Sequence, residues 1–121
     1  MAEAVRDIRI KRVYEAPGDD GRRVLVDRLW PRGLSKERIH ADLWVKEAAP
    51  SSKLRRWFHR APDQWEEFRR RYIEELKGSF AVETLLDLAG EGKITLLYAS
   101  RDVEHNHARV LKEYLLSQAG R

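Results

Sequence analysis

The chain has 121 residues, 42% of them apolar and 9% aromatic, which suits one domain with an ordinary core and is too aromatic for a wholly disordered chain. It contains no cysteine, which excludes disulfides, thiolate metal sites, iron–sulfur clusters and cysteine nucleophiles, and suits a reducing cytosol. The net charge of +4 is unevenly spread: residues 1–60 carry 15 Lys/Arg against 9 Asp/Glu, and residues 61–121 carry 9 against 11, so the first half suits an anionic partner such as a nucleotide, nucleic acid or phosphate ester.

No apolar run approaches the ~20 residues of a membrane helix, and residues 1–12 lack the apolar centre of a signal peptide. A soluble, cytoplasmic protein without a membrane partner is expected. Ile8 to Tyr14 reads as a strand, followed by a dense turn signal from Glu15 to Gly21. Arg23 to Leu29 reads as a second strand, buried on both faces. The turn between them suits a hairpin or a short parallel return. Trp30–Pro31–Arg32–Gly33 ends the strand, Ser35 can cap a short turn through His40, and the segment around Leu43–Val45 is a candidate further strand.

From residue 51 the pattern turns helical. Ser51 or Ser52 starts a helix with Leu54, Trp57 and Phe58 spaced i, i+3, i+4. Asp63 with Glu66 reads as a capping box for a helix that buries Trp65, Phe68, Tyr72, Ile73 and Leu76 and closes at Gly78. Along it, Glu66/Arg70, Glu67/Arg71, Arg70/Glu74 and Arg71/Glu75 are four i, i+4 pairs, so its basic run is neutralised locally. Ser79 opens a third helix with Val82, Leu85, Leu86 and Ala89 inward. Lys93 to Ser100 is a third strand, and Asp102 can cap a last helix that buries Ala108, Leu111 and Leu115. Strands and helices in this order predict a single α/β domain over residues 1–121: a small layered fold with a mostly parallel sheet of three or more strands and about four helices.

Two constellations could carry chemistry. Asp27–Arg28–Leu29–Trp30–Pro31–Arg32–Gly33, with Lys36 beyond, leaves a strand end, where ligands settle in open α/β sheets. Arg28, Arg32 and Lys36 could converge there on a phosphate or carboxylate, with Trp30 shaping the pocket and Asp27 orienting an Arg or acting as base. The plainer alternative pairs Asp27 with a neighbouring Arg and uses Trp30 to plug the core. Ser100 to His107 follows the third strand on the same rim. Arg101 adds to the field of a helix N-terminus, Tyr98 borders the pocket, and His105 or His107 could shuttle protons. In the plainer alternative Asp102 is only a cap and His105 bonds to backbone. Two histidines i, i+2 on a helix point nearly apart, so no metal site is expected.

Lys53 to Arg60 holds no acidic residue, and Arg55, Arg56 and Arg60 could contact polyanions. There is no Walker loop, GxGxxG, HExxH or GxSxG, which disfavours an ordinary P-loop nucleotidase, dinucleotide dehydrogenase or α/β-hydrolase, and no cofactor is expected. The two expectations for function are a cleft binding a small phosphate-bearing, nucleotide-like ligand, with or without hydrolase or transferase activity, and a non-catalytic nucleic-acid-binding module.

The phrases Arg23 to Gly33, Leu43 to Glu47, and Leu97 to Asp102 running into Glu104 to Ala108 resemble a bacterial and archaeal family, domain of unknown function 488, in its short, YeaO-like branch. The resemblance covers about residues 6 to 117. It implies a compact α/β fold with the first and last phrases near each other, and no established reaction. The family's longer branch carries a cysteine in the last strand and a Cys-His-Arg triplet at the place of Asn106–His107–Ala108. Here the strand position is Tyr98, so thiol chemistry does not carry over, while His107 is retained.

Overall fold

Short runs of Ile, Val and Leu too brief to stand alone pair into one sheet, and amphipathic helices cover it. The computed structural model describes residues 7–119. Four strands, Ile8–Arg12 (β1), Arg22–Leu25 (β2), Leu43–Trp44 (β3) and Ile94–Tyr98 (β4), lie in the order β1-β4-β2-β3. All neighbours are parallel, with Ile8 opposite Ile94, Arg22 opposite Ile94 and Val24 opposite Leu43. The five α-helices among the described residues are Lys36–Ile39 (α1), Ser52–Arg60 (α2), Trp65–Leu76 (α3), Phe80–Glu91 (α4) and His107–Ala119 (α5). No described helix is long and apolar enough to cross a membrane.

Alternation along the strands sorts the core into two layers. Ile8, Val24, Val26, Ile94, Leu96 and Tyr98 face α2 to α5 and meet Leu54, Phe68, Tyr72, Leu85, Leu111 and Leu115. Leu25 and Leu97 face the other way, onto Val13, Ile39, Trp30 and Leu34. The central strand β4 is therefore buried on both sides, as a parallel sheet requires.

The connection between β1 and β2 is the short parallel return, not a hairpin. Residues 13–21 come back along the sheet, and β4 lies between the two strands. Such a return lacks the usual helical crossover, so other contacts fasten it. Asp20 is only 8% exposed and accepts from Arg23 Nη1 at 2.5 Å, Lys11 Nζ at 3.1 Å and the Gly18 N–H at 3.0 Å. Arg23 also donates to the Ile39 and His40 carbonyls, tying the return to α1. Burial works against the charged form of Asp20, but the Gly18 N–H, Arg23 and Lys11 outweigh it and hold its carboxyl down at about 2. Gly21 sits at φ +62, and a Cβ there would stand 2.2 Å from the Lys93 carbonyl oxygen, which receives the Arg22 N–H. Only glycine fits that approach.

Ser51 caps α2 by accepting from the Leu54 N–H, and Ser79 caps α4 by accepting from the Ala81 N–H. The expected Asp63/Glu66 capping box does not form. The Gln64 N–H bonds to the Ala61 carbonyl, so Asp63 is still in the turn leaving α2, and α3 starts at Trp65 with no side-chain cap. Of the four expected i, i+4 pairs on α3, the structure contains Glu67–Arg71. Glu67 also takes Arg70, Glu74 pairs with Lys77, and Glu75 turns to Ser51. The last helix starts later than Asp102 suggests. Asp102 closes a turn by accepting from the Glu104 and His105 N–H groups, and Asn106 caps α5 by accepting from Arg109.

Candidate functional site

Parallel strands leave their carboxyl ends on one rim, and a cleft opens there beside β2 and β4. It has a volume of about 490 Å³ and is lined from three directions: Asp27 to Leu29 after β2, Ser100, Asp102 and His105 to His107 after β4, and Arg55, Phe58 and His59 of α2, with Phe68 of α3 and the turns at Ala49–Pro50 and Pro62 completing the wall.

The Val26 N–H still bonds to the Leu97 carbonyl, so Asp27 emerges against the end of β4. There the Ala99 N–H donates to its Oδ2 at 3.0 Å. His107, the first residue of α5, places Nε2 3.1 Å from the Val26 carbonyl oxygen and 3.1 Å from Asp27 Oδ1. Nε2 stands in hydrogen-bonding geometry with the Val26 carbonyl, while Asp27 Oδ1, as near to it, is a buried oxygen without a hydrogen-bond partner among the described residues. Asp27 thus partners a histidine, not a neighbouring Arg.

Arg28 is half-buried and held by backbone. Its Nε donates to the Pro50 carbonyl at 3.1 Å and its Nη2 to the Ala49 carbonyl at 3.2 Å. No carboxylate pairs with it among the described residues. The segment that holds it is anchored in turn by α3: the buried Tyr72 hydroxyl donates to the Ala48 carbonyl, and Glu75 accepts from the Ser51 N–H and hydroxyl. Burial raises the Tyr72 phenol well above its ordinary range, Glu75 and Asp27 push the same way, and Arg28 opposes them. The hydroxyl therefore stays a donor.

Aromatic rings form one side of the cleft. Phe58 stacks on Phe68 at 4.3 Å between centroids, and His105 stacks on Trp65 at 4.7 Å. His105 lies ahead of α5, so the i, i+2 helical geometry expected for the two histidines does not apply. Among the described residues no group of three or more His, Cys, Asp or Glu stands close enough to hold a metal ion. Asp102 is held below the usual carboxylate range, chiefly by the His105 and Glu104 N–H groups.

Of the residues singled out from the sequence, the cleft brings together Asp27, Arg28, Arg55, His105 and His107. The others lie outside its lining. Trp30 donates its indole N–H to the Leu34 carbonyl and packs under the second core layer with α1. Tyr98 is buried in the main core, where burial raises its phenol, with Glu15 adding to the effect. Arg32, Lys36, Arg101, Arg56 and Arg60 are exposed. Sequence reasoning passed over His59, Phe58, Phe68 and the two prolines as site residues. The spacing of Arg55 and His59, i and i+4 on one helix face, was the available signal.

These features define a small, all-parallel α/β protein with a mixed polar and aromatic cleft at the strand ends. The family model that matches residues 7–121 is described as "Inactive DUF488-N3 subclade", and the chain belongs to that family. It is 45% identical over 109 residues to an uncharacterized protein of Mycobacterium tuberculosis, covering 89% of this chain and 92% of the relative. It is 42% identical over 113 residues to the uncharacterized protein YeaO of Escherichia coli, covering 92% and 98%. No solved structure matches the chain.

Proposed function

We propose that the cleft binds a phosphate-bearing, nucleotide-like ligand and that the protein works as a binding module in the cytosol. The observation that carries this reading is Arg28, a half-buried cation fixed by two carbonyls and paired with no carboxylate among the described residues. A guanidinium withdrawn from water favours an anionic partner, and Nη1 has no hydrogen-bond partner among the described residues. Arg55 adds positive charge from α2, while Phe58, Phe68 and His105 offer an apolar wall for a ring. The volume falls among small-ligand sites. Hydrolysis or transfer would have to rest on Asp27 and His107. The family's description as inactive weighs toward binding without turnover.

Melting in the presence of inorganic phosphate and a panel of nucleoside monophosphates tests this. A ligand at a hundred times its dissociation constant adds about 2.7 kcal/mol, and Arg28→Ala should remove that gain. A flat melting temperature across the panel rejects the reading.

A second reading, a nucleic-acid-binding module, is favoured by α2. Lys53, Arg55, Arg56, His59 and Arg60 are all exposed on it, and none enters an ion pair among the described residues. Binding through them would weaken with salt, and Arg56→Ala or Arg60→Ala would each lower the logarithmic salt slope by about one. Absence of binding to single- or double-stranded DNA or RNA at low salt removes this reading.

A further inference from the structure

The Asp27–His107 contact does more than join two strand ends, because together with the Val26 carbonyl it sets the surroundings of His107 Nε2. Nε2 faces two oxygens, the Val26 carbonyl and Asp27 Oδ1, each 3.1 Å away. The carbonyl oxygen cannot donate, and neither can the carboxylate in its ionised form. A lone pair on Nε2 would confront both, so the neutral ring holds its proton there. Nδ1 is then an acceptor, with no hydrogen-bond partner among the described residues, on a ring that lines the cleft. Three of the four carboxylate oxygens in the lining are already engaged or shielded. Asp102 Oδ1 receives two backbone N–H groups, Asp27 Oδ2 receives the Ala99 N–H, and Asp27 Oδ1 is buried.

We infer that His107 Nδ1 is a fixed acceptor that makes the cleft select oxyanions carrying a proton of their own. The ligand class is hydrogen phosphate or a singly protonated phosphate ester, in preference to a fully deprotonated oxyanion of the same shape. This rests on the anion-binding reading of the cleft and adds a rule of selection to it. Arg28 and Arg55 supply donors to the bare oxygens, and Nδ1 receives the P–O–H. Sulfate has the shape and charge of hydrogen phosphate but no hydrogen. It would set an oxygen lone pair against the nitrogen lone pair.

Two measurements at about pH 8, where imidazoles are predominantly neutral, test the inference. In the first, nitrogen-15 spectra of the free protein, with His107 assigned by its loss in His107→Gln, should show Nδ1 unprotonated. In the second, calorimetric titrations with inorganic phosphate and with sulfate at matched ionic strength should show phosphate binding at least about tenfold tighter, the worth of one hydrogen bond. Asp27→Asn gives the reversal. Its amide oxygen can keep the Ala99 bond while its NH₂ turns toward Nε2, which sets a donor against the Nε2 proton, raises the share of the tautomer protonated on Nδ1 and lowers the phosphate-to-sulfate ratio. A protonated Nδ1 in the neutral protein, or equal affinity for the two anions, overturns the selection rule and leaves the anion cleft standing. Failure of both anions to bind overturns the cleft reading and the rule with it. The tautomer of the unsubstituted chain decides the matter if Asp27→Asn does not fold.

Discussion

Tyr72→Phe isolates the bond by which α3 holds the wall of the cleft. The ring sits in the main core with no exposure, and its hydroxyl donates to the Ala48 carbonyl, one residue before the carbonyls that fix Arg28. Phenylalanine fills the same space apart from one oxygen, so the cavity contribution is small. What is lost is one hydrogen bond, net about 1 kcal/mol, and what remains is a carbonyl with no other side-chain partner, which costs about 1 kcal/mol more. The expected loss is about 2 kcal/mol, or a fall of about 8 °C in melting temperature for a chain of this size. Denaturant unfolding should show a lower midpoint with an unchanged slope. The loosened segment should also weaken phosphate binding without changing its sensitivity to Arg55→Ala. A Tyr72→Phe protein as stable as the parent would refute this account of how the Ala48–Ser51 wall is held.

Three further outcomes are expected. The Asp20 carboxyl, near 2 when folded against the ordinary value of 3.8, contributes stability that is complete above about pH 4 and is lost as the pH falls toward 2; the loss is about 2 kcal/mol by acid titration of unfolding, and Asp20→Asn should abolish it. Gly21→Ala drives a Cβ into the Lys93 carbonyl at positive φ and should cost at least about 2 kcal/mol, where Gly33→Ala, with open space around it, should cost less. Arg55→Ala, on an exposed position of α2, should change stability by well under 1 kcal/mol while weakening phosphate binding, as read by paired melting and titration experiments.

Much of the fold was legible because it is written in local pattern. The Ile and Val runs of β1, β2 and β4, the stripe of Phe68, Tyr72 and Leu76, and the caps at Ser51 and Ser79 are all short-range signals. The parallel return from β1 to β2 was not, since it depends on β4, some seventy residues further along, entering between them. Asp63 and Asp102 were misread as helix caps for one shared reason. An aspartate that closes a turn and one that caps a helix look alike until the next few dihedrals are known.

The candidate site was legible by position and not by residue type. Leaving a strand end placed Asp27, Arg28, His105 and His107 together, but charge alone did not tell which side chains turn inward. Arg32, Lys36 and Arg101 point to solvent, and Trp30 and Tyr98 serve the core. The partnership of Asp27 with His107 spans 80 residues and has no local signature.

The most direct test of the central claim is an amide chemical-shift titration of the full chain with a nucleoside monophosphate at about pH 6, where a phosphate monoester is about half protonated. The account predicts perturbations confined to residues 27–29, 49–50, 55–62, 68 and 100–107, the segments that line the cleft. Saturable shifts that avoid these segments, clustering instead on the exposed outer face of α3 or beside α1, would contradict it.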